Sequence, residues 1–257
     1  MNSLLSRVPR IRPRMLKLLM AACGVLGLIF RLLITVTAID DKGLMTPWNP
    51  AWICLWLVTI AAAAILAAGV LPIKGPAAYR AAFPHSLAGA GAGVLAAVCA
   101  LAAAYDHFLS GGSGLVFFLQ GGLMVLAALA FLLAAGCRLF GRQPLFLFHV
   151  AVCLWFALRM LTLYQTWSFD PQLQDYCFQL FACIALTMTA YQLAAFDMDR
   201  GSHRKLWAWG LASVYLCCLA ATDSLFFISG GLWAFANLSN LRRPRQRREA
   251  EDPANIE

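Results

Sequence analysis

Charge is what this chain has least of. Its 257 residues include 20 Lys and Arg and 12 Asp and Glu, so charged side chains make up 12% of the total. A soluble domain carries about 25%. That shortage excludes an ordinary solvated surface. Together with 61% hydrophobic residues and a mean hydropathy of +0.73, it points to a polytopic membrane protein. Ligand spacing for metals is also lacking. The nine cysteines form no CxxC pair and no Cys/His pattern and lie mostly inside apolar runs, so they read as small packing residues rather than a disulfide framework. No metal and no cofactor is expected. The sequence has no HExxH, no P-loop and no paired carboxylates inside an apolar run, so nothing in it indicates an enzyme. The "SGGSG" at 110–114 reads as a flexible connector, with Ser113 on the opposite side of the membrane from His149.

Long apolar runs are what the sequence does contain. They fall at about 16–39, 51–72, 87–105, 115–136, 145–167, 174–196 and 206–241, on a window near 20 residues. The last run is too long for one crossing at about 1.5 Å per residue. It contains "ATDSL" at 221–225 with Asp223 central, and breaking it there gives 206–222 and 225–241. The expected fold is therefore all-α, a polytopic α-helical membrane protein with eight transmembrane helices; a re-entrant final segment is the competing arrangement. The domain plan is a basic segment over 1–15, one transmembrane helical domain over 16–241, and a charged tail over 242–257 read as disordered. The first run carries Arg31 and exceeds a signal-peptide core, so it reads as a retained helix.

The distribution of Lys and Arg orients the chain. With eight spans and an inside N-terminus, seventeen of the twenty basic residues face the cytoplasm, including the tail "LRRPRQRR". Seven spans would put the tail outside, against the positive-inside rule. Both termini are thus expected inside, in a bacterial-type cytoplasmic membrane. The net charge of +8 follows this pattern, which argues for orientation in a lipid bilayer and against nucleic-acid binding.

Two arginines remain within the apolar runs. "FRLLITVTAID" (30–40) and "LRMLTLYQTWSFD" (158–170) share an arginine, following threonines and a terminal aspartate. Each arginine sits roughly 12–14 Å below the outer boundary at about 1.5 Å per residue. The correspondence suggests a 4+4 parallel repeat of two four-helix halves. The glycine- and alanine-rich second and third spans are expected to form a central, tightly packed pair.

An arginine near the bilayer centre costs at least about 2.5 kcal/mol, and no Asp or Glu lies within any expected span core. Arg31 and Arg159, with Thr35, Thr162 and Thr166, are the candidate ligand-binding residues; Gln120, Gln179 and Thr187 could join them from other spans. Asp40, Asp170 and Asp223 are the candidate partners at the outer face. The planar guanidinium fork suits a carboxylate, a phosphate or a lipid headgroup. Two functional expectations follow. One is a small transporter or permease-like protein with an outward-facing cavity for an anionic small molecule or lipid headgroup. The other is a membrane scaffold, sensor or accessory subunit, with a membrane-protein partner, in which both arginines are structural. His149, at the inner start of its span, is titratable; it reads as a polar anchor, with a proton relay as the alternative.

Overall fold

The computed structural model describes residues 13–37, 49–71, 73, 75, 78–167, 173–222 and 224–241. All regular structure among them is helical: α1 (Pro13–Thr37), α2 (Pro50–Val70), α3 (Tyr79–Ala82), α4 (Leu87–Leu109), α5 (Leu115–Leu139), α6 (Phe146–Trp167), α7 (Leu173–Asp197), α8 (His203–Leu219) and α9 (Leu225–Asn240). Among the described residues, six of these helices are long and apolar enough to cross a membrane: α1, α2, α4, α5, α6 and α7. The chain is thus an all-α protein with the makings of a helical membrane protein. At 17 and 16 residues, α8 and α9 are shorter.

Local chemistry sets the breaks. Pro50 opens α2 behind Asn49, whose side chain accepts from the Ala51 amide at 2.9 Å. Ser86 caps α4 by accepting from the Gly89 amide. After α8 ends at Leu219, Ser224 accepts from the Phe226 amide and starts α9. Each cap satisfies a helix N–H that would otherwise lack a partner. The break expected at 221–225 is therefore present, while the short helix α3 was not foreseen.

α8 and α9 form the hub. α8 packs on α1, α2, α7 and α9, and α9 also packs on α4, so the row α4–α5–α6–α7 closes into a ring through α8 and α9. Polar side chains join the helices across their seams. Thr59 bonds Tyr215, Thr189 bonds Ser213, and the Ser229 hydroxyl donates to the Ala96 carbonyl. Such bonds and close packing hold helices together where the hydrophobic effect supplies little. Large apolar side chains such as Trp56, Leu57, Ile60, Leu129 and Leu133 point outward instead.

Two expectations about packing do not hold. α2 and α4 are not a central pair: α2 packs on α1 and α8, whereas α4 packs on α5 and α9. The small residues of α4 serve those contacts, with Gly93 against Ala135 of α5 and Gly89 against Asn240 of α9. A 4+4 repeat would also make α2 pack on α4 as α7 packs on α8, and only the second pairing is extensive.

The ring is filled by aromatic side chains. Phe131 from α5, Trp155 and Phe156 from α6, and Phe226 and Trp233 from α9 stack edge-to-face and tilted, with centroids 4.9–6.2 Å apart. This aromatic plug runs from Phe226, beside the α8–α9 turn, to Trp233, whose ring neighbours His149 toward the end that bears α3.

Candidate functional site

On α1, the buried residues Leu16, Met20, Arg31 and Ile34 follow steps of three and four with Gly24 and Gly27, the stripe of a helix packed on a neighbour. A Cβ on Gly24 would lie 2.9 Å from the Cys218 Cβ, and one on Gly27 would lie 2.6 Å from a Leu219 methyl. The bare glycines therefore let α1 approach α8 closely. Arg31, one turn on, is 4% exposed and its Nη1 donates to the Leu219 carbonyl at 2.5 Å. Leu219 is the last residue of α8, where helix carbonyls lack an intrahelical partner. The arginine completes that helix end, and its positive charge suits the negative end of the dipole.

Arg159 is placed differently. His149, Val152, Phe156 and Leu163 mark the buried stripe of α6, with Arg159 at the matching step. Its neighbours on that stripe are bulky, and the guanidinium rests 5.8 Å from the Phe226 ring centroid, a cation–π geometry. The Arg159 Nε is buried without a hydrogen-bond partner, although the residue as a whole stays partly exposed. Among the described residues, no carboxylate pairs with it. Leu219 and Phe226 flank the α8–α9 turn, so both arginines reach the same turn, one on each side.

The remaining candidates divide as follows. Thr35 lies on the exposed side of α1 and donates to the Leu32 carbonyl at 2.8 Å. Thr162 is half-buried and donates to the carbonyl of Arg159 itself at 2.9 Å. Gln120 and Gln179 are buried, and Thr187 donates back to Cys183 at 2.8 Å. The Thr166 side chain and residues Asp40, Asp170 and Asp223 lie outside the described residues.

A second polar group sits at the α3 end, where the sequence indicated only inward-facing loop charges. Arg138 is buried at the end of α5, donates to the Asn237 amide oxygen, and lies 5.0 Å from the Phe83 ring centroid. His149 Nδ1 is bonded to Asp197 Oδ2, with both side chains buried. Gln143 donates to the Asp197 carbonyl at 2.5 Å, and Asp199 accepts from the Tyr79 amide at 2.7 Å. The Tyr79 hydroxyl lies beside the Arg138 guanidinium without a well-directed hydrogen bond. Burial pushes this phenol up, against the opposing pull of Arg138. Asp197 is thus a carboxylate buried at the very end of α7, just beyond the expected span core of 174–196. The signal was the "FD" that closes α7 with no solvated residue before it. Its pairing with a histidine 48 positions earlier was beyond any local pattern.

No family model matches the chain, and neither a curated protein nor a solved structure is similar to it. Its class, an all-helical protein with membrane-length apolar helices, rests on its own residues.

Proposed function

We propose that the chain is a small permease-like protein of the bacterial-type cytoplasmic membrane, with eight spans and both termini inside. α8 and α9 are the two short final crossings. In this topology the α8–α9 turn faces outward and the α3 end faces the cytoplasm. The substrate is an anionic solute or a lipid headgroup that binds beside the turn through Arg159. One observation carries this reading: Arg159 is a half-buried cation with an unpartnered Nε and no carboxylate paired with it among the described residues. A guanidinium in that position gains from an oxyanion that accepts from its planar fork. The Phe226 face holds the cation without neutralising it.

A second reading has its own support. Arg31 is engaged by a backbone carbonyl, which suits a scaffold or accessory subunit in which charge fixes helix packing. The two arginines therefore separate the readings. Thermal unfolding of the purified protein is to be measured with carboxylate, phosphate and anionic-lipid additions. Stabilisation that survives in Arg31→Gln and disappears in Arg159→Gln supports the permease site. No anion response in the wild type, with both variants merely less stable, overturns it in favour of the scaffold.

A further inference from the structure

The α3 end contains a carboxylate whose charge the surrounding chain does not balance by an ion pair. Asp197 is bonded through Oδ2 to His149, its Oδ1 has no hydrogen-bond partner, and no Lys or Arg pairs with it among the described residues. His149 Nε2 is likewise buried without a partner, and its ring lies 6.2 Å from that of Trp233. The titratable and charged groups around the pair come from every neighbouring element. α3 supplies Tyr79, α5 supplies Cys137 and Arg138, the α5–α6 turn supplies Arg142, the α7–α8 turn supplies Asp199 on the Tyr79 amide, and α8 begins with the buried His203. α9 places Asn237 against Arg138 and Trp233 beside His149. Arg138 is held by Asn237 and by the Phe83 face rather than by Asp197.

A neutral imidazole beside an ionised carboxylate leaves one negative charge in a water-poor seam, which is costly. Adding one proton makes the pair neutral overall, as imidazolium with carboxylate. We propose that His149 and Asp197 form a proton-binding site reached from the α3 end. The proton comes from water on that side and goes onto the pair; its release returns the negative charge. That charge then attracts Arg138, which shares Tyr79 as a neighbour with Asp197, toward the unpartnered Asp197 Oδ1 and away from Phe83, so the segment 79–83 that carries α3 loosens as the proton leaves. As the coupling proton of a permease, the site rests on the reading given above. As a proton site, it stands on the His149–Asp197 geometry.

The test uses the full chain in lipid nanodiscs with ¹⁵N-labelled histidine, followed by NMR from about pH 5 to about pH 8, the range in which imidazoles change charge. His149→Asn identifies the signal. The expected result is a protonation change at His149 that moves in Asp197→Asn, with the protection factors of the amides at residues 79–83 (exchange corrected for its base-catalysed intrinsic rate) falling as pH rises in the wild type but not in the variant. If Asp197→Asn does not fold, His149→Gln serves for the exchange measurement. A His149 signal that keeps one protonation state throughout, or one that titrates identically in Asp197→Asn, overturns the proposal. So does protection at residues 79–83 with the same pH response in the wild type and the variants. None of these readouts uses an anion. A titrating pair in a protein that no anion stabilises would remove the permease while leaving the proton site in place.

Discussion

Arg31 follows Gly24 and Gly27 along its helix, and Arg159 follows Trp155 and Phe156. At the glycines α1 comes close enough to α8 for the arginine to reach a backbone carbonyl at the helix end. On α6 the bulky aromatics fill the seam, and the arginine lies against the ring of Phe226. The same residue type, on a buried stripe of an apolar helix, is sealed in one place and left partly open in the other. The size of the side chains one turn earlier decides which. A carbonyl satisfies a guanidinium's hydrogen-bonding demand, whereas an aromatic face attracts the cation but leaves its donors free. Only the second arrangement has anything left to offer a ligand.

The largest effect on this contrast should come from Phe226→Ala. It removes a ring that is fully buried, stacks on Trp155, Phe156 and Phe227, and lies under Arg159. Losing a buried phenylalanine costs about 3–5 kcal/mol, to be read from denaturant or thermal unfolding in detergent. Retention of wild-type stability would show that the aromatic plug is not the core of the ring.

Arg31→Gln comes next. It removes a charge-assisted bond to the last residue of α8, worth about 1.5–3 kcal/mol, and the shorter amide is not expected to span the same gap. Unfolding should shift accordingly, with any anion response unchanged. An Arg31 variant that keeps full stability but loses an anion response would reverse the roles assigned to the two arginines.

Gly24→Ala tests why Arg31 can reach its partner. The added Cβ would meet the Cβ of Cys218 at 2.9 Å, an atom that cannot rotate away, so α1 must shift from α8. Overpacking of this kind costs about 1–3 kcal/mol. In a double variant with Arg31→Gln the two losses should fall short of additive, because both act on the α1–α8 seam. Strict additivity would show that the glycine and the arginine act independently.

Much of this was legible in the chain. Apolar run length placed the long helices within a few residues, and the polar interruption at Asp223 separated α8 from α9. Arg31 and Arg159 stood out because a charge in an apolar run is rare. Their difference in role was not legible, because it depends on α8 and α9, which begin more than forty residues beyond Arg159 in sequence. The group at the α3 end was hidden for the same reason. Arg138 counts only as one of the inside basic residues and His149 as a polar anchor or relay, nothing in the sequence singles out Asp197 or Asn237, and only the packing of α5, α6, α7 and α9 brings the four together. The pairing of α2 with α4 was misjudged because small residues announce close packing without naming the partner.

The smallest expected change in stability is the one that tests the comparison most directly. Arg159→Gln removes a partly exposed cation whose described engagement is the face of Phe226, an interaction worth about 0.5–2 kcal/mol. Against that loss stands the relief of a buried Nε that lacks an acceptor and of the insertion cost of a charge at this depth. The two tend to cancel, so unfolding without added anion should move by less than about 1 kcal/mol, well under the Arg31→Gln effect. Arg159→Lys sharpens the point: it keeps the charge but loses the planar fork, so a response that depends on two parallel donors should weaken while one that depends on charge alone should survive. If Arg159→Gln proves as destabilising as Arg31→Gln, the open arginine is structural after all, and the asymmetry between the two sides of the α8–α9 turn carries no function.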